Sequence, residues 1–218
     1  MKDPDFVKRA ITKHLKPALA DAGFYRIRPR KFVRLRGDLV DVIAFQMSQW
    51  GGRDFFVHHF CNLLPMPEWE DPLEGYKLGE RISNGTVDWC GETADKAEAA
   101  ILDVVRASDE VILPWFDHIA GIKDYIVEYI AKPSTVLSSM QIVVALLLLG
   151  ETNRPYWALQ EMIEVQPDEF DDPVEFASRN EFYRRFQEQV DSRRYINLLN
   201  EWRTYWMEKH QLTKAMVT

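Results

Sequence analysis

The chain has 218 residues, 46% of them hydrophobic and 28% charged. That is enough apolar surface for a folded core, and it excludes wholesale disorder. Lys and Arg number 27 against 34 Asp and Glu, a net charge of −7. This argues against a generally basic nucleic-acid coat while leaving room for a local basic patch. Cys61 and Cys90 form no Cys-x-x-Cys pair and are too few for a secreted disulfide scaffold. The most apolar run, Met140 to Leu149, reaches 14 residues when extended back to Val136, short of the roughly 20 that a membrane span needs. No basic start leads into an apolar secretion segment. A cytoplasmic protein without membrane contact is the expectation.

In chain order, the first element is a helix. Asp3 is suited to cap it and Pro4 to its first turn, with Val7, Ile11, His14, Leu15, Ala18 and Leu19 at helical spacing. Pro17 should bend or split it, and Gly23 ends it. Strands are predicted over Phe24–Arg28 and Phe32–Arg36 with a turn at Pro29, then over Leu39–Gln49 after Gly37-Asp38, then over Arg53–Leu64. The stretch 65–76 is a loop. Two short strands, Lys77–Ser83 and Thr86–Trp89, flank the hairpin signal Asn84-Gly85. Beyond Gly91 the periodicity is helical to the end, with breaks at Ser108, Pro114, Gly121, Pro133, Gly150 and Asp172-Pro173. The predicted fold is α+β. An antiparallel sheet of four to six strands carries the N-terminal helix on one face, within a domain over 1–120. A helical region over 121–218 packs against it.

The most unusual feature is the stretch FYRIRPRKFVRLR, which holds Arg26, Arg28, Arg30, Lys31, Arg34 and Arg36 and no acid. Residues 1–36 carry eleven Lys and Arg against three Asp, a local +8, so the other 182 residues carry −15. Strand alternation pairs Arg26 with Arg28 on one side and Arg34 with Arg36 on one side. Such a ribbon suits an acidic protein surface or phosphates, because guanidinium groups make two-pronged bonds to both. The plainer alternative is a solvated sheet face, or one that meets the protein's own acidic groups. Nucleic acid, with Tyr25 or Phe32 stacking on bases, is disfavoured as partner because the −15 remainder repels a long polyanion.

A second constellation is polar. Gln46, Ser48 and Trp50 share one side of a strand, and His58 and Asn62 one side of the next, with Arg81, Asp88 and Trp89 nearby. His59 shares a side with Cys61. His58 and His59 point to opposite faces and no third ligand is evident, so no metal is expected. Gly-rich phosphate loops, nucleophile elbows and HExxH helices are absent, which leaves no cofactor and no catalytic set to name. The acidic run Asp168, Glu169, Asp171, Asp172 lacks the pattern of a calcium loop. Trp202, Tyr205 and Trp206 lie at helical spacing, which favours a core role over an exposed aromatic surface.

Several segments occur in an order that resembles the bacterial domain-of-unknown-function family 4304. They are Leu15-Lys16-Pro17, Gly23-Phe24, Phe32-Val33-Arg34, the run from Val42 to Ser48, Phe55-Phe56-Val57, Arg81-Ile82 and Trp89. The similarity spans roughly residues 5–120. It implies a small α+β domain of bacterial origin, with Gln46 and Trp89 as candidates for a shared polar groove, and it brings no activity with it. The expectation is a non-catalytic binding module of accessory or immunity type that meets an acidic protein partner through the basic ribbon. An enzyme using Gln46, His58 and Arg81 is the alternative.

Overall fold

The computed structural model describes residues 5–48, 53–75, 78–82, 89–131, 139–164 and 173–212. The chain divides into two compact units: residues 1–62, 73–120 and 210–218 form one, and residues 63–72 and 121–209 the other.

Helix α1 (Phe6–Ala10) begins the first unit, capped by Asp5, whose Oδ1 accepts from the Lys8 N–H at 3.0 Å. The expected cap Asp3 lies outside the described residues. A π-helical turn, Ile11–Leu15, leads into α2 (Lys16–Asp21), with Pro17 in its first turn. The same arrangement recurs downstream. Helix α3 (Ala94–Ala107) passes through a second π-turn, Ser108–Ile112, into α4 (Leu113–His118), with Pro114 in its first turn. Proline lacks an N–H and its ring collides with the carbonyl four residues earlier. One widened turn just before each proline absorbs both defects without ending the helical run. Ser108 therefore does not break the helix as its sequence context implies.

The strands are β1 (Tyr25–Arg28), β2 (Lys31–Arg36), β3 (Leu39–Met47), β4 (Asp54–Leu63), β5 (Leu78–Ile82) and β6 (Trp89–Cys90), all in one six-stranded sheet. Strands β1 to β5 follow chain order, and β6 pairs with β4. The fold is α+β, as the pattern of elements implied. The Asn84-Gly85 turn lies outside the described residues. Both flanking strands pair antiparallel with β4: β5 along Val57–Cys61 and β6 along Asp54 and Phe55. They follow one another along the same strand.

Register sorts the side chains. Phe32, Arg34 and Arg36 of β2 share a face with Leu39, Asp41 and Ile43 of β3. On this face Phe45 packs tilted against Phe55, which stacks on Trp89, with centroids 5.6 and 6.0 Å apart. The helices cover it. Val7, Ile11, Leu15 and Leu19 of the first helical run, Ala97, Ile101 and Val104 of α3, and Phe116 of α4 are buried. The Trp89 indole donates to Asp103 of α3 at 2.9 Å.

The second unit is helical: α5 (Ile122–Ile130), α6 (Met140–Leu148), α7 (Asn153–Glu164), α8 (Pro173–Asp191) and α9 (Tyr195–Lys209). Helix α6, the apolar run of the sequence, is buried along its length. Its one polar side chain, Gln141, donates to Glu70 at 2.6 Å. The expected opening at Pro133-Ser134 and the acidic run 168–172 lie outside the described residues, and Ser139 caps α6. The C-terminal aromatic stripe is core: Trp206 is fully buried and donates to the Met66 carbonyl at 2.7 Å, and Trp202 packs on Phe182 and Phe186.

Asp41 is the sharpest test of how the first unit holds together. Its side chain is 0% exposed and bonded to two guanidinium groups. Replacing it by Ala leaves Arg36 without an ion-pair partner and Arg34 with only the exposed Asp117, and the expected loss is about 3–5 kcal/mol in urea denaturation. Glu74→Ala, which removes a half-exposed partner of Arg28 and Lys31, should lose under about 1 kcal/mol. Equal, small losses would show that the buried cluster contributes little.

Candidate functional site

The basic ribbon is largely spoken for. Arg34 Nε donates to Asp41 Oδ2 at 2.9 Å, and Arg36 grips the same carboxylate at 2.6 and 2.7 Å. Arg34 also lies over the Phe24 ring at 4.9 Å and reaches Asp117 at 3.2 Å, while Arg36 donates to the Ile119 carbonyl at 2.5 Å. These two arginines do share a side, as alternation implied, but it is the helix-covered side. Arg26 and Arg28 do not share one. The register shifts between them, so that Arg26 faces Phe32 and Arg28 faces Lys31. This bulge turns adjacent alternate positions to opposite faces. Arg26 consequently meets Thr12 of the first helical run at 2.7 Å, whereas Arg28 and Lys31 both bind Glu74, at 2.8 and 2.6 Å. Arg30 pairs with Asp5 at 2.8 Å. The expected free ribbon is thus corrected: five of its six cations are ion-paired to the protein's own carboxylates. Phe32, considered as a base-stacking ring, is fully buried.

A different set of cations does stand in solvent. Lys8, Arg9, Lys13 and Lys16 are exposed on the outward side of the first helical run, opposite Val7, Ile11 and Leu15. Lys13 shares Glu98 with His14, at 2.7 and 2.8 Å. Among the described residues, Lys8, Arg9, Lys16 and Arg26 have no ion-pair partner. Asp5, Lys8, Arg9, Thr12 and Lys13 line a surface cavity of about 470 Å³, which Arg26 and Arg30 border through Thr12 and Asp5. Sequence reasoning passed over this face because it weighed the helix by its apolar stripe. The signal was present in the spacing 8, 9, 12, 13, 16, which places those residues together on a helix, and in the five basic residues of 1–36 outside the ribbon.

The polar constellation assembles in part. His58 of β4 lies directly opposite Arg81 of β5 and bonds Gln46 of β3, its Nε2–H donating to Oε1 at 2.9 Å. Three adjacent strands therefore bring Gln46, His58 and Arg81 into one row, on the face away from Asp41. Arg81 covers the Phe56 ring at 3.3 Å. Burial, with Arg81 adding to it, pushes the His58 pKa below its ordinary 6.5. The neutral ring with its proton on Nε2 leaves Nδ1 as the acceptor. Ser48 lies just past β3, its N–H bonded to the Asp54 carbonyl at 2.8 Å; Trp50 and Asp88 lie outside the described residues. Trp89 is not in the row. It is buried on the opposite face against Phe55. His59 and Cys61 also lie on the helix-covered face. The His59 ring meets Trp115 and Phe116 edge-on, and burial raises the Cys61 thiol pKa well above its usual range, which makes it a poor nucleophile. Among the described residues no three His, Cys, Asp or Glu side chains group as a metal site. No helix among them is long and apolar enough to cross a membrane.

These features define an α+β domain whose sheet is covered by helices on one face and carries a polar row on the other. Residues 15–118 match the model of the family described as domain of unknown function (DUF4304), the family and the region that the resemblance in sequence implied. No curated protein and no solved structure matches the chain.

His58 supplies a pH test. Because its folded pKa is depressed, the folded state favours the neutral ring; stability tied to it is present above pH 6.5 and is lost as pH falls below that value and through the lower folded pKa. An NMR titration should place the His58 midpoint below 6.5. Arg81→Gln should raise it only partly, since burial is the larger cause. A midpoint at or above 6.5 in the wild-type protein would contradict this placement.

Proposed function

We propose that the protein is a non-catalytic binding module, of accessory or immunity type, that docks an acidic protein surface with the outward face of its first helical run. The carrying observation is charge without counter-charge: Lys8, Arg9 and Lys16 lie exposed together and have no ion-pair partner among the described residues. Arg9 and Lys13 stand four residues apart, a like-charge spacing that weakens a helix by about 0.2–0.5 kcal/mol. An acidic partner relieves that repulsion. The ribbon contributes at its edge, through half-exposed Arg28, while Arg34 and Arg36 shape the fold. Free thiols at Cys61 and Cys90 suit a reducing cytoplasm, and the family resemblance suits a bacterial one.

A second reading, an enzyme built on Gln46, His58 and Arg81, is favoured by their convergence in one row. It offers a neutral imidazole acceptor and a guanidinium for an anionic substrate. A turnover that disappears in a folded His58→Gln variant would select it.

The docking reading is tested by affinity capture from the native host, with the bound protein identified and its acidic surface confirmed. Lys8→Glu, Arg9→Glu and Lys16→Glu together should abolish capture, and 0.5 M salt should weaken it strongly, since exposed charges are screened within a few ångströms. Capture that survives the triple reversal would overturn the assignment of this face, and tighter binding to duplex DNA than to the acidic protein would replace it with nucleic-acid binding.

A further inference from the structure

We propose that the acidic surface taken by the cationic face is carried by a second copy of this chain: the first helical run of one copy docks on the outward side of α3 and of the π-turn that follows it in the other. The inference rests on the docking reading and names its partner.

The chain itself has the chemistry that this face requires. Its net charge is −7, and the residues outside 1–36 sum to −15. On α3 and its π-turn, Asp95, Leu102, Arg106 and Asp109 follow one another at seven, four and three residues, which sets them on one side of a helical run. All four are exposed, as is Glu110, while Ala97, Ile101 and Val104 behind them are buried. The cations of this surface are already taken, Arg106 by Asp103 and Lys96 by Glu92 at 2.7 Å. Among the described residues Asp95, Asp109 and Glu110 have no ion-pair partner. Three unpaired anions on this run thus stand against three unpaired cations, Lys8, Arg9 and Lys16, on the first. The two runs pack side by side in one unit. Across their seam Glu98 takes Lys13 and His14, and the unpaired charges of both runs face outward. A second copy related by a two-fold axis brings each basic run onto the other's acidic run, so the contact forms twice and closes as a dimer.

Charge steers such a contact but holds it weakly, because exposed ion pairs contribute little. The apolar anchor is Leu102, 49% exposed in the middle of the acidic stripe. Its counterpart is the open surface cavity of about 470 Å³ lined by Asp5, Lys8, Arg9, Thr12 and Lys13 of the basic run. The aliphatic stems of Lys and Arg pack on an apolar side chain while their charged ends stay in water. A leucine seated there carries its flanking acids to those charged ends, which gives an apolar centre with a charged rim. Asp5 does not repel them, since its carboxylate already accepts from the Lys8 N–H and from Arg30. One apolar anchor and a charged rim make a reversible dimer, which leaves the basic run free in dilute solution.

The test is sedimentation velocity of the full chain over a concentration series, with the fold of each variant checked by circular dichroism. The wild-type protein should dimerise in low salt and dissociate in high salt. Leu102→Gln, at an exposed position, should weaken the dimer roughly tenfold or more, the scale of one buried leucine. Lys8→Glu, Arg9→Glu and Lys16→Glu together should give a monomer, and so should Asp95→Lys, Asp109→Lys and Glu110→Lys together. Mixed, the two reversed proteins should form a one-to-one dimer, because each offers on both runs the charge that the other lacks. Leu102→Gln in both should weaken that dimer as well, which general attraction between oppositely charged proteins would not show. A wild-type protein that stays monomeric at every concentration, or a dimer indifferent to Leu102→Gln and to reversal of the acids, overturns the proposal. If capture of another protein is still lost on reversal of Lys8, Arg9 and Lys16, that result removes the second copy and leaves the docking face standing. Dimer and capture both indifferent to that reversal would remove the docking face too.

Discussion

One carboxylate organises the first unit. Asp41 lies at the middle of a buried sheet face, opposite Arg34 in register and within reach of Arg36 on the same strand. A lone buried carboxylate is costly, and so is a buried guanidinium; together, with the remaining donors satisfied, they become tolerable. The satisfaction here comes from outside the sheet as well. Arg36 donates to the Ile119 carbonyl beyond α4, Arg34 reaches Asp117, and Arg34 lies over Phe24 and Phe116. The cluster therefore fixes how α4 sits on the sheet. It also removes the two most conspicuous arginines of the sequence from any external role.

The rest of the cationic surface follows from that constraint and from one bulge. Had β1 run without a register shift, Arg26 and Arg28 would project together. The shift sends Arg28 to Lys31 and Glu74, and Arg26 to Thr12. A strand residue is thereby coupled to the outward face of a helix, and the patch in solvent is built from helix cations with one strand arginine at their border.

Much of the fold was legible in the sequence, for identifiable reasons. The turns Gly37-Asp38 and Gly121, the Thr93 cap and the largely continuous apolar runs of β3 and β4 are local signals, and the elements formed where they indicated. The π-turns before Pro17 and Pro114 were half-visible: the prolines marked a defect, but whether it breaks a helix or widens one turn depends on the tertiary packing of the flanking apolar residues. The site was less legible. Alternation predicted the faces of Arg34 and Arg36 correctly and those of Arg26 and Arg28 wrongly, because a bulge leaves no fixed mark in composition. Gln46, His58 and Arg81 met because β3, β4 and β5 are neighbours, whereas Trp89 was carried to the other face by its pairing with Phe55 of β4. Which arginine meets which acid is decided by contacts distant in sequence, such as Arg34 with Asp117 and Lys31 with Glu74.

The division between internal and solvent-facing cations is best measured by covalent footprinting, with phenylglyoxal for Arg and acetylation for Lys read residue by residue by mass spectrometry. Lys8, Arg9 and Lys16 should react rapidly, and Lys31, Arg34 and Arg36 should be protected until the protein unfolds. Arg34 and Arg36 reacting as fast as Arg9 in the native state would contradict the account at its root.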